Sequence, residues 1–144
     1  MSKIKISTDS TSDIPASFRE ELNISVLPLT ILHEGKEYRD GVDITPTEFY
    51  KILDEASVLP VSSQVRATEY LNLYQQTAEG GYTDLIHVSL NAKGSRTYQA
   101  AVMSRDMFCE ENPEAKLNIH IIDSRTYSMD YGMAVVEAAQ MAKD

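Results

Sequence analysis

The chain has 144 residues, of which 42% are hydrophobic, and this size and composition fit one folded domain. Its formal net charge of −9, with 13 lysine and arginine residues scattered along the sequence, argues against nucleic acid and anionic membranes as partners. No stretch approaches the roughly 18 apolar residues of a membrane span, and the start of the chain lacks the apolar core of a secretory signal, so we expect a cytoplasmic protein without membrane insertion.

Short apolar runs alternate along the chain with segments that carry apolar residues at three- and four-residue spacing. The apolar runs predict strands at 4–8, 24–32, 84–90 and 117–122, with a hairpin turn at 34–36. The amphipathic segments predict helices at 15–22, 46–56, 67–78, 96–111 and 132–143, and residues 59–64 form a loop between the second and third helices. This alternation predicts an α/β fold with a mainly parallel sheet, helices on both faces and a β-hairpin appendage, formed by a single lobe of residues 1–144.

Neither the cysteine nor the histidines predict a metal site. Cys109 is alone, so no disulfide forms within the chain, and its apolar neighbours predict a buried thiol. His33, His87 and His120 occur singly in strand-like runs, whereas metal ligands normally cluster. We therefore expect no metal and no cofactor.

Three loops that follow predicted strands are rich in hydroxyl groups: 8–12, 89–95 and 123–128. Ligands of open α/β sheets bind beyond the carboxyl ends of the strands, where hydroxyls and helix-start amides can hold an anion. Each segment also has a plainer interpretation, because Ser, Thr and Asp are the usual caps of helices and turns. The same alternative applies to Ser62 and Ser63 before the third helix, and to Asp9 and Asp123 after their strands.

The combination of five motifs resembles the DegV family, in order and spacing, over essentially the whole chain. The matching segments are Ile6–Pro15, Val26–Ile44, Ser62–Gln64, Gly94–Ala101 and Ile122–Gly132. The resemblance implies a protein that binds one long-chain fatty acid, and some family members present it to a partner kinase that makes acyl phosphate. It therefore implies a bacterial lipid carrier and not an enzyme.

The resemblance also implies which residues hold the fatty-acid carboxylate. Ser62 and Ser95 would donate to it, with Ser63, Asn91 and Thr97 in support. Loop residues Ser10 and Ser124 are further contributors. Hydroxyl and N–H donors form short, charge-assisted bonds with a carboxylate, so these residue types suit that role.

Several positions depart from the family pattern. Val65 stands where the family has Pro, Asn91 and Ala92 replace two Ser, and Arg96 replaces a Gly. Family members also run to about twice this length, with the fatty acid between two lobes. The chain is therefore expected to be the amino-terminal lobe, to lack the second family domain, and to hold half of the site.

Two other functions remain open. One is a phosphotransfer enzyme, because the DegV lobe resembles dihydroxyacetone kinase and a sugar phosphotransferase component, although no nucleophile–base pair stands out in the sequence. The other is a protein-interaction lobe without a ligand. Self-association is a further hypothesis, because the last helix carries more apolar residues, including Met133, Val136 and Met141, than one buried face uses. The alternative is a central helix covered on all sides by its own lobe.

Overall fold

A computed structural model describes all residues, Met1–Asp144. The strands are β1 (Ile4–Asp9), β2 (Ser25–Leu27), β3 (Thr30–His33), β4 (Lys36–Arg39), β5 (Val61–Ser63), β6 (Asp84–Ser89) and β7 (Asn118–Asp123). The helices are α1 (Ala16–Glu21), α2 (Pro46–Glu55), α3 (Ala67–Glu79), α4 (Thr97–Glu111) and α5 (Met129–Lys143), with a 3-10 turn at Ser10–Ser12.

The main sheet is parallel, with the strand order β2-β1-β6-β7. Helices α3 and α4 pack on one face, where Tyr70, Tyr74 and Phe108 cover Leu85. Helix α5 packs on the other face through residues such as Val135. The predicted α/β fold, with a mainly parallel sheet and helices on both faces, is confirmed.

A second, antiparallel sheet has the order β4-β3-β5. Its β3–β4 hairpin turns at Glu34 and Gly35, both of which have positive φ, and this is the predicted appendage. The prediction of a loop at 59–64 was wrong in part, because β5 lies within it and pairs with β3. A strand of three residues is too short to show a two-residue hydrophobic repeat.

Cys109 is exposed, so the prediction of a buried thiol was wrong. It lies on α4 one position after Phe108, which is 3% exposed and takes the core position at this turn. Neighbouring helix positions point in directions about 100° apart, so an apolar neighbour in sequence does not imply a shared face.

Helix α5 has both buried and exposed apolar residues. Val136 is buried, while Met133 and Met141 are 58% and 73% exposed, and self-association through this surface stays a prediction.

Helix α5 also lies close to the 3-10 turn that follows β1. A Cβ atom built on Gly132 would lie 2.3 Å from the backbone oxygen of Ser12, so the two segments touch because position 132 has no side chain. None of the helices has both the length and the apolar character needed to cross a membrane.

Candidate functional site

A cleft of about 900 Å³ lies between the main sheet and the small sheet. The turn after β1, the loop after β6 and the loop after β7 contribute to its walls from the main sheet, as expected at the carboxyl ends of parallel strands. Strands β3 and β5 and helix α2 form the opposite side. The volume lies within the roughly 300–1,000 Å³ range of small-molecule sites.

Four of the seven residues predicted for the site line this cleft. They are Ser10, Ser62, Ser63 and Ser95. Ser124 does not line it, because its hydroxyl bonds within its own turn, to the oxygen of Thr126 at 3.2 Å. Serines from distant segments thus lie around one cleft, and their role in ligand binding stays a prediction.

Asn91 and Thr97 lie behind the cleft wall rather than in it, and each hydrogen-bonds a residue that does line it. The Asn91 amide Nδ2 donates to the Tyr127 hydroxyl at 3.3 Å. The Thr97 hydroxyl lies 2.9 Å from that of Ser95, and the Thr97 backbone amide donates to Ser95 Oγ at 3.2 Å. Thr97 is fully buried, so no ligand in the cleft reaches it. Both residues therefore contact the lining through a neighbour, and their part in ligand binding stays a prediction.

Ser62 and Ser63 occupy opposite faces of the small sheet, since successive strand side chains alternate. Ser62 is directly opposite Ile31, which also lines the cleft. Ser63 is directly opposite Thr30, which does not. Opposed residues of an antiparallel pair share a face. Ser62 therefore shares a face with the lining residue Ile31, whereas Ser63, which also lines the cleft, shares a face with Thr30.

Charge is divided between two regions of the cleft lining. Lys93 and Arg96 flank Ser95 on the loop after β6. Asp13 and Asp40 lie in the other region, near Ser10. Burial raises the pKa of Asp40; a hydrogen bond with Ser10 opposes this shift and the nearby Asp13 charge adds to it. An anion in the cleft is attracted to the Ser95 loop and repelled by the two aspartates.

The remainder of the lining is largely apolar. It includes the side chains of Leu29, Ile31, Phe49, Tyr50 and Leu90. An apolar pocket with a few converging polar groups suits a ligand that has one charged end and a hydrocarbon body.

Asp9 and Asp123 cap turns, as the plainer interpretation of the sequence predicted. Asp9 is fully buried and accepts hydrogen bonds from the Leu90 amide at 2.9 Å and from the Tyr131 hydroxyl at 2.5 Å. Burial raises the pKa of Asp9 in spite of these bonds. Asp123 accepts from the Ala92 amide at 3.0 Å. Neither carboxylate lines the cleft.

One serine–histidine pair exists, in the core and away from the cleft. Ser7 Oγ lies 2.9 Å from Nδ1 of His87, and the Tyr70 hydroxyl lies 3.2 Å from its Nε2. All three residues are fully buried, and burial lowers the pKa of His87 to about 3. A substrate cannot reach this pair. No three His, Cys, Asp or Glu side chains are placed to share a metal ion.

Comparison with known proteins identifies the family of this chain. The family model described as "Uncharacterised protein, DegV family" matches residues 3–144. A DegV domain-containing protein of Caldanaerobacter subterraneus is 42% identical over 142 residues, which cover 99% of this chain and 48% of that protein. The chain thus spans about half the length of the curated relatives it matches.

Two solved structures are similar along nearly the whole chain. A stearic acid-binding protein from Eubacterium ventriosum superposes with a TM-score of 0.87 at 26% identity, covering 100% of this chain and 48% of that one. A fatty-acid-binding DegV family protein from Thermus thermophilus gives 0.81 at 29% identity, covering 98% and 48%. The sequence match and the shared fold lead to one conclusion: the chain belongs to the DegV family.

Proposed function

We propose that this chain is the carboxylate-holding lobe of a long-chain fatty-acid carrier. The observation that carries the proposal is the convergence of Ser62, on the small sheet, and Ser95, on the loop after β6, at one cleft whose lining is partly apolar. The proposal extends to this chain what the Eubacterium and Thermus proteins are described as doing.

Thr97 holds the Ser95 hydroxyl at the edge of the cleft. Ser95 Oγ accepts from the Thr97 backbone amide at 3.2 Å and donates to the Thr97 hydroxyl at 2.9 Å. A hydroxyl proton rotates to suit its acceptors, so in this proposal the Ser95 proton turns from Thr97 to the ligand carboxylate when the ligand binds. Arg96 and Lys93 add positive charge on the same loop. Charge-assisted bonds of this kind are about twice as strong as neutral ones.

The apolar lining provides the affinity for the hydrocarbon tail. Each buried CH₂ group contributes about 0.8 kcal/mol, so a chain of a dozen or more carbons gains far more than its head group does. The head group then determines the orientation of the ligand. The second half of the family's length completes the enclosure of the tail in this proposal.

The proposed role is that of a carrier without catalysis, which offers the bound carboxylate to a kinase partner. The reachable hydroxyls of the cleft have no histidine beside them, because none of the three histidines lines it. An accessible carboxylate at the open side of the lobe suits transfer to a partner enzyme. A phosphotransfer enzyme that works through a phosphohistidine would need a histidine at the cleft.

Ligand retention on purification tests the proposal. Two proteins are expressed in bacteria: the isolated chain, and a hybrid in which the chain replaces the matching half of the Caldanaerobacter relative. Native mass spectrometry is expected to show one fatty acid per hybrid molecule, and delipidated protein should rebind palmitate or oleate. If the hybrid and the isolated chain are both folded, and neither binds added fatty acid, the proposal is contradicted.

A matched pair of variants locates the site. The double variant Ser62→Ala with Ser95→Ala should lose most fatty-acid binding. Ser17→Ala, on exposed α1 and outside the cleft, should retain it. Equal binding by the two variants would show that the carboxylate lies elsewhere.

A further inference from the structure

Tyr127 lines the cleft, and it is not among the residues predicted for the site. It lies on the connection between β7 and α5, and its side chain is 46% exposed. A backbone bond from the Asn91 amide to the Thr126 oxygen, 3.0 Å long, holds this connection against the loop after β6. The phenol is therefore placed beside the loop that carries Ser95.

Gly94 leaves the space in which the Tyr127 hydroxyl lies. A Cβ atom on Gly94 would lie 1.8 Å from the hydroxyl oxygen of Tyr127. Any side chain at position 94 would displace the phenol from this place. The hydroxyl is thus in contact with the residue that precedes Ser95.

The Tyr127 hydroxyl accepts a hydrogen bond but donates none within the protein. Asn91 Nδ2 donates to it at 3.3 Å, and none of the protein's hydrogen bonds uses the phenol proton. A phenol is both donor and acceptor. Its proton is therefore available to a group in the cleft, and Asn91 is the residue that orients it.

We propose that Tyr127 is a third donor to the ligand carboxylate, alongside Ser62 and Ser95, and that Asn91 is its positioning residue. This inference rests on the proposed function and deepens it. Lys93 and Arg96, next to Gly94 and Ser95, make this region of the cleft the one that favours a negative ligand group. A phenol donor also favours an ionised carboxylate over a neutral head group of the same chain length.

The experiment compares oleic acid with oleyl alcohol as ligands of the chain and of the hybrid. Tyr127→Phe removes the hydroxyl and keeps the ring. It is expected to weaken oleic acid binding about tenfold, as for loss of one bond to a charged group, and to change oleyl alcohol binding much less. Tyr98→Phe, a half-buried tyrosine outside the cleft, is the matched control and should bind both ligands as the wild type does.

Each outcome decides between the two proposals. An unchanged preference for the acid in Tyr127→Phe overturns the role of Tyr127 and leaves the proposed function in place. Equal losses for acid and alcohol show that the phenol stabilises the cleft without contacting the carboxylate, which also overturns it. A wild type that binds neither ligand, alone or in the hybrid, overturns both proposals.

Discussion

The hydroxyl oxygen of Thr97 accepts a hydrogen bond from the backbone amide of Val65 at 3.3 Å. Thr97 begins α4, directly after the loop that carries Ser95, and Val65 follows the strand that carries Ser62. Both residues are fully buried. This bond joins the two walls from which the proposed carboxylate donors project.

Thr97→Val should weaken fatty-acid binding, because it removes the hydroxyl that orients Ser95 and leaves the Val65 amide without a partner. Loss of such a buried bond costs about 1–3 kcal/mol, so part of the effect should appear as a lower Tm. Thr97→Ser keeps the hydroxyl and should restore the preference for oleic acid over oleyl alcohol. If Thr97→Val and Thr97→Ser prefer oleic acid over oleyl alcohol equally weakly, the result contradicts the role of the Thr97 hydroxyl in orienting Ser95.

Ser62 and Ser63 should differ in their effect on binding, because they occupy opposite faces of β5. Ser62→Ala should weaken oleate binding about tenfold through loss of one charge-assisted donor, worth about 1.5–3 kcal/mol. Ser63→Ala, the same change one residue along the strand, also alters a residue of the cleft lining but should have the smaller effect. Fluorescence titration of delipidated protein measures both, and the reverse ranking would contradict the face assignment.

Gly132→Ala should destabilise the fold. The added methyl group would lie against the backbone oxygen of Ser12, which cannot rotate away as a side chain could. Overpacking of this kind costs about 1–3 kcal/mol, against a gain of about 1 kcal/mol in helix propensity. Chemical denaturation is expected to show a net loss, while Gln140→Ala on the exposed side of α5 changes stability little. A higher free energy of unfolding for Gly132→Ala would show that helix α5 and the turn at Ser12 move apart easily.

Acid should destabilise the protein through His87. Its pKa is about 3 in the fold against an ordinary value of 6.5, so between these values the unfolded chain binds a proton that the folded chain does not. The free energy of unfolding therefore falls as pH falls, by up to about 1.4 kcal/mol per pH unit. Denaturation measured between pH 6 and pH 5 should show this slope.

His87→Gln should flatten that slope, because glutamine does not titrate. The raised pKa values of Asp9 and Asp40 act in the opposite direction. Each carboxyl binds its proton more readily in the folded protein, so the free energy of unfolding falls as pH rises through the folded pKa. Both are common to wild type and variant, so the difference between slopes isolates His87. His33→Gln is the control, and an equal flattening there would contradict the assignment.

The parallel sheet was predictable because its strands, such as Asp84–Ser89, appear as short apolar runs between amphipathic segments. Strand β5 was not predictable, because three residues show no repeat and its pairing with β3 depends on distant sequence. The exposure of Cys109 likewise depends on how α4 is rotated against its neighbours, which composition does not specify.

The candidate site was predictable in its loops but not in its side-chain directions. Convergence of the Ser62 and Ser95 segments followed from the resemblance, and the structure brings them to one cleft. Which side chains line it depends on their orientation, and Asn91 and Thr97 hydrogen-bond lining residues instead of lining the cleft themselves. Tyr127 was missed because a single tyrosine in a loop has no periodic pattern.

Strand β5 is only three residues long and forms one edge of its sheet. Short edge strands open locally at low cost in free energy, and their amide protons exchange quickly with solvent. A carboxylate held by both Ser62 and Ser95 would cross-link this edge to the larger sheet and protect the amides of Val61–Ser63. Deuterium uptake at three residues would then report whether the carrier is loaded, without any label on the lipid.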